Sequence, residues 1–408
     1  MVGVAEDERI APRTARTLVG STVLQAVTRL DDDRSGHATL NLALALLRSG
    51  ARVIVLGEEG ALVGELQALG GEWMEFGFST SHPLRRRANM TKLRELIDGE
   101  RVELLHAHGS ETARALCTAL RRKAVPLVTT YLGVPGAPQG FGVDPVVKGN
   151  IVLAQSVYAA NMIVKHHAIP RERVVVVPPS IDTDWFAPAS IGAERVAALR
   201  HAWHVHPHER IVLAPGRIAP WQGQLTLVDA ARVLFNGGLR DTVFVIAADG
   251  TADESYAKEI EAQVIAQGLG NAFRRVGHCR DMPAAYAAAD VVVVGTARAS
   301  SFDDIAAEAQ AMGRPVIASD VGALSEIVLA PPLVPTEART GWLVKPHDTF
   351  SLARALAEAI EAERPERAAM GMRAHAVANQ TFSPLRVAAA VLDVYDALLE
   401  GDVASETA

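Results

Sequence analysis

Two cysteines in 408 residues, Cys117 and Cys279, stand far apart, and neither belongs to a Cys-x-x-Cys pair. That scarcity excludes a disulfide framework and a thiolate zinc site, and it fits a reducing compartment. Long apolar runs are missing as well: no window holds the roughly 18 uncharged apolar residues that span a bilayer, although 49% of the chain is apolar. Nor is positive charge in excess. Against 40 Lys plus Arg stand 47 Asp plus Glu, a formal −7, so no global basic field draws the chain to nucleic acid. Residues 1–16 open with Met1 to Arg9, acidic where a secretory signal carries positive charge, and are read as a tail on a cytoplasmic protein. No Gly-x-Gly-x-x-Gly follows the first strand-like run and no Gly-x-x-x-x-Gly-Lys-Ser/Thr loop occurs, which weakens dinucleotide oxidoreductase and P-loop NTPase readings. His166-His167 and His204, His206 and His208 have no carboxylate or cysteine at ligand spacing, so no metal site is expected.

What is present is alternation. Strand-like runs at Ser21–Val27, Val53–Gly57, Val102–His106 and Leu127–Tyr131 are separated by helical patterns over Ala38–Leu47, Ala61–Leu69, Arg85–Ile97 and Thr112–Lys123. The rhythm stops near Pro178-Pro179-Ser180 and restarts with Ile211–Pro215, Thr242–Ala247, Asp290–Val294 and Pro315–Ala318, again between helical segments. Such βαβ repetition predicts parallel sheets covered by helices. We therefore expect an α/β protein of two doubly wound, Rossmann-like domains, residues 17–180 and 181–382, with ligands at the carboxyl ends of the strands and the domains facing each other across a cleft. A last helix in 383–408, striped by Val387, Val391, Val394 and Leu398, has an apolar face to bury and is expected to pack back on the first domain.

The informative motifs lie in the second half: Pro215-Gly-Arg-Ile-Ala-Pro-Trp-Gln-Gly-Gln224 after a strand, Val276-Gly-His-Cys-Arg-Asp-Met-Pro283, the Glu308–Asp320 run followed by Gly322 and Glu326, and Gly341-Trp-Leu-Val-Lys-Pro346. Together these resemble the nucleotide-sugar-binding domain of GT-B retaining glycosyltransferases, of the family 4-like, group 1 type. First-half matches are looser: Leu105-His106-Ala107-His108, Val128–Tyr131, and Pro179–Asp182 ending in Trp185-Phe186. The resemblance implies transfer of a hexose from a UDP- or GDP-sugar, with retention and without a metal or other cofactor, to a glycan or lipid-linked acceptor in cell-envelope polysaccharide synthesis. It places Arg217 on the phosphates as a catalytic cation, with Gln222 at the second catalytic position. Glu308 falls on the ribose, Gly277, His278, Cys279 and Met282 near the base, and Phe302 in the sugar-binding turn. On the acceptor side it points to Gly36, His106 and His108.

Several positions depart from the family pattern. Gln222 replaces a lysine, and Ser300-Ser301-Phe302-Asp303 stands where the first glutamate of a spaced pair and a Glu-Gly-Phe-Gly-like turn are expected. The first-strand loop, Asp31-Asp32-Asp33-Arg34-Ser35-Gly36-His37, has three acids and one glycine, and Leu132 replaces a histidine. A donor aimed at developing charge is worth about 2.7–4 kcal/mol, so these losses raise an alternative: a catalytically impaired relative serving as scaffold or partner of an active homologue. Asp303-Asp304, before Ile305, would occupy a helix N-terminus that otherwise attracts phosphate; an ordinary acidic cap is the plainer explanation. The cysteines are read as packing residues. Residues 85–123 carry ten basic side chains, including Arg85-Arg86-Arg87 and Arg121-Arg122-Lys123, against five acids. This face could touch anionic lipid at the inner side of the plasma membrane, or be a solvated charge run.

Overall fold

In Ile211–Ala214 every residue is apolar and buried, yet neighbours point to opposite faces: Ile211 and Leu213 join one core, Val212 and Ala214 the other. A strand of this kind needs cover on both sides. The computed structural model, which describes residues 18–79, 82–120, 125–133, 144–248 and 253–400, provides it with helices on both faces of two parallel sheets.

The first sheet has seven strands: β1 (Thr22–Arg29), β2 (Arg52–Glu58), β3 (Glu72–Glu75), β4 (Leu104–His108), β5 (Leu127–Thr130), β6 (Ile151–Ala154) and β7 (Val174–Val176), in the order β3-β2-β1-β4-β5-β6-β7. The second has six: β8 (Arg210–Gly216), β9 (Thr242–Ala248), β10 (Phe273–Val276), β11 (Val291–Val294), β12 (Val316–Ser319) and β13 (Gly341–Val344), ordered β10-β9-β8-β11-β12-β13. In each, chain order reverses beside the first strand, which opens a crevice at the carboxyl ends of β1/β4 and of β8/β11. The two compact units divide the chain into residues 1–131, 143–152 and 388–408, and residues 132–142 and 153–387. Strand pairing in the first sheet continues to Val176, near the 180/181 boundary read from the sequence, whereas the units divide between 152 and 153. Among the described residues, no helix is long and apolar enough to cross a membrane.

Helix Pro384–Leu399 meets the first unit through Ala388, Val391, Tyr395 and Leu398, so Ala388 and Tyr395 replace Val387 and Val394 on the expected stripe. The helical reading Thr112–Lys123 becomes Ser110–Ala119. Residues 121–123, the end of the basic run, lie outside the described residues, as do the tails 1–16 and 401–408. Arg85, Arg86 and Arg87 are exposed on helix Pro83–Gly99, beside Leu84 at 73% exposure. Arg94, from the same helix, instead donates to the carbonyls of Thr118 and Ala119.

Candidate functional site

Within the second unit, a cavity of about 790 Å³ opens at the carboxyl ends of β8, β9 and β11. It lies where the strand order reverses, the position that favours ligands in open α/β sheets. Gly223, next to the lining residues Trp221 and Gln222, fixes the turn after β8. At φ +75° it adopts a left-handed conformation, and a Cβ there would lie 2.3 Å from the Gly295 carbonyl oxygen, so the turns after β8 and β11 meet backbone against backbone. Ala297 N–H then donates to the Trp221 carbonyl at 2.7 Å, and the Arg298 guanidinium lies over the Trp221 ring, its Cζ 3.5 Å from the centroid.

The loop after β10 lines the cavity through His278, Cys279, Arg280 and Met282. Asp281 caps helix Met282–Ala288 by accepting from Ala284 N–H at 3.1 Å, and Arg195 grips both its oxygens at 2.7 and 3.1 Å. The guanidinium bonds, more than any other cause, hold this carboxyl below its usual range. Cys279 is half-buried in the loop, and burial pushes its thiol up; Cys117 behaves likewise. Both thiols therefore stay protonated at neutral pH.

Glu308 rises from helix Asp304–Ala311 into the cavity and accepts from the Tyr286 hydroxyl at 2.8 Å. Tyr286 is fully buried; desolvation first, and the Glu308 charge second, raise its phenol well above the usual range. Phe302 packs edge-on against Phe382 with ring centroids 5.3 Å apart. Asp303 caps its helix, accepting from Ala306 N–H at 3.0 Å, as an ordinary acidic cap does. Ser300 Oγ is buried without a hydrogen-bond partner, while its backbone is pressed by Gly322, whose added Cβ would lie 2.7 Å from Ser300 N.

Of the residues singled out in the sequence, the cavity gathers Gln222, His278, Cys279, Met282, Phe302 and Glu308. Gly277 and Arg217 are exposed and lie outside its lining; the Arg217 carbonyl accepts from Gln224 Nε2 at 2.9 Å. Trp221, Tyr286 and Arg298 were missed, because a lone aromatic or arginine carries no spacing signal and their role comes from three strands converging.

Gly36, His106 and His108 belong to the first unit. A Cβ on Gly36 would stand 1.9 Å from the Asp31 carbonyl oxygen, and Asp33 caps the following helix through Gly36 N–H at 2.8 Å. His106 is 1% exposed. Its Nε2 pairs with Thr130 Oγ1 at 2.7 Å and its Nδ1 with Tyr395 Oη at 2.6 Å, so both ring nitrogens are engaged inside the protein. His108, half-buried and 4.1 Å from the His106 ring centre, pairs with Gln25 Oε1 at 3.1 Å. Burial pushes His108 down to about 4 and, with the neighbouring His108 second, His106 well below its ordinary value.

Residues 209–362 match the model of glycosyl transferases group 1, and residues 36–185 that of glycosyltransferase family 4. A D-inositol 3-phosphate glycosyltransferase of Saccharomonospora viridis is 31% identical over 318 residues, 72% of this chain and 69% of that one. The chain belongs to the family 4, group 1 glycosyltransferases. The enzyme of the same name from Streptomyces avermitilis is 30% identical, and the match spans 66% of its length, just under two thirds. The GT-B fold is shared with a glycosyltransferase from Rickettsia africae, at TM-score 0.79 and 22% identity over 95% of this chain and all of that one. It is shared too with the Anabaena protein HepE, solved in complex with UDP, at TM-score 0.73 and 20% identity over 92% and 100%. Against this family background, Gln222, Ser300 and Asp303 stand on or beside the walls of one cavity.

Proposed function

We propose that this glycosyltransferase transfers a hexose from a UDP- or GDP-sugar, with retention, to a glycan or lipid-linked acceptor in cell-envelope polysaccharide synthesis, at the inner face of the plasma membrane. The observation that carries the reading is the cavity at the β8/β11 reversal, where Glu308, fixed by Tyr286, faces the same space as the cations Arg280 and Arg298. A carboxylate can accept from both ribose hydroxyls, while fixed cations take the negative charge that grows on a departing diphosphate. Relatives named for D-inositol 3-phosphate add a phosphorylated polyol to the acceptors worth testing. Transfer is read as metal-independent because side-chain cations would meet the phosphates, so chelation should leave the rate unchanged.

Titration calorimetry with UDP, GDP and their common sugars tests donor binding, and release of UDP from UDP-glucose tests turnover. No heat with any of these at millimolar ligand would overturn the donor reading. The departures at Gln222, Ser300 and Asp303 favour a second reading, in which the chain binds a donor and supports an active homologue without transferring sugar. A Gln222→Lys, Ser300→Glu double variant separates the two: turnover that appears only in the variant supports the second, and turnover in the wild type that the variant does not improve supports the first.

A further inference from the structure

We propose that Arg298 supplies the diphosphate-binding charge that position 222 lacks. The inference rests on the donor reading above and concerns how this particular chain meets the phosphates. Three observations converge. Gln222 lies on the cavity wall and is neutral. Trp221, next to it, carries the Arg298 guanidinium on its ring at 3.5 Å. The Gly223–Gly295 approach and the Ala297-to-Trp221 hydrogen bond fix that juxtaposition in the backbone, and Arg298 N–H is itself bonded to Thr296 Oγ1 at 3.2 Å.

An arginine on an aromatic face is held by its plane, so the N–H groups around its edge remain directed outward for an anion. The stack also limits the rotamer freedom that a long cation loses on binding, which makes the fork preorganised for phosphate. Among the described residues Arg298 has no carboxylate within ion-pair distance, whereas Asp281, in the loop after β10, is paired to Arg195. Arg280 is the competing cation in the cavity. It belongs to the β10 loop with His278 and Cys279 rather than to the turn that holds position 222.

The test compares UDP with uridine by titration calorimetry for wild type, Arg298→Ala, Arg298→Lys, Arg280→Ala, and Arg298→Ala combined with Gln222→Lys. Melting curves of each variant verify that it is folded; Arg298 is exposed, so its removal opens no core. Losing a charge-assisted contact should weaken UDP about 10- to 100-fold and leave uridine within about twofold. Lysine at 298 keeps the charge without the planar fork and should fall between. Lysine at 222 should restore most of the loss in the Arg298→Ala background. Equal weakening of UDP and uridine, no weakening of either, or a UDP-specific loss in Arg280→Ala alone would overturn the assignment while leaving the donor reading intact. Failure of the wild type to bind UDP or GDP overturns both.

Discussion

The Tyr286 hydroxyl donates to Glu308 Oε2 at 2.8 Å, joining the helix after the β10 loop to the helix that carries the most recognisable motif of the chain. Because burial and the adjacent carboxylate keep the phenol protonated, it remains a donor at neutral pH. Tyr286→Phe keeps the ring and removes only this bond, so we expect about 3- to 10-fold weaker binding of UDP and uridine alike, equivalent to a net hydrogen bond of about 1 kcal/mol. Glu308→Gln should weaken both further. Calorimetry with both ligands checks this: a loss confined to UDP would remove Glu308 from the ribose.

Asp303 combines a cap with a charge, and the two can be separated. Asparagine caps as well as aspartate, so Asp303→Asn should preserve the bond to Ala306 N–H and leave the melting temperature unchanged. Its lost negative charge at the cavity wall should tighten UDP severalfold. Asp303→Ala should instead destabilise by about 1 kcal/mol through the missing cap. Unchanged UDP affinity in the asparagine variant would leave Asp303 with capping alone.

The alternation of apolar strands and helical segments was enough to read two doubly wound sheets, since buried parallel strands such as Val291–Val294 are apolar throughout. Short polar strands were not legible: Glu72–Glu75 and Phe273–Val276 are Glu- or Arg-containing edge strands, held by one neighbour each. The second unit's site was legible as motifs, and the departures at 222, 300 and 303 were visible as substitutions. Their surroundings were not. The stack of Arg298 on Trp221 depends on Gly223 and Gly295, 72 positions apart, coming into backbone contact, and no local pattern contains that information. Likewise His106 read as a strand-end histidine; only the return of the C-terminal helix, which brings Tyr395 to it, makes it a core residue.

Gly36 gives a direct test of the acidic loop. Its missing side chain lets the Asp31 carbonyl approach within 1.9 Å of where a Cβ would stand, and backbone N–H groups, Asp32 first and Ala61 second, hold the Asp31 carboxyl below its usual range. Gly36→Ala must push backbone against backbone. We expect destabilisation of about 1–3 kcal/mol, the cost typical of overpacking, measured by denaturant unfolding. A variant as stable as wild type would show that the loop relaxes freely.

His106 and His108 make the first unit acid-sensitive, and the sign follows from their lowered values. Both bind protons more weakly in the folded protein than in the unfolded chain, so below about pH 6.5 the unfolded state holds more protons and stability falls as the pH drops, for His108 down to about pH 4. Above pH 6.5 both states are neutral and the contribution is fully present. Each histidine adds at most about 1.4 kcal/mol per pH unit within that window. With its proton on Nε2, a neutral His106 donates to Thr130 and accepts from the Tyr395 hydroxyl; a protonated ring would offer two donors and leave the buried Tyr395 hydroxyl needing a new acceptor. Hydrogen exchange at the Leu104–His108 amides, compared at pH 5 and pH 7.5, should show protection lost at the lower pH. His108→Gln should flatten that dependence by removing one histidine's share. Tyr395→Phe should lower protection at both pH values, by about 1–3 kcal/mol for the unpaired His106 nitrogen. Equal pH dependence in His108→Gln and wild type would remove His108 from the acid sensitivity.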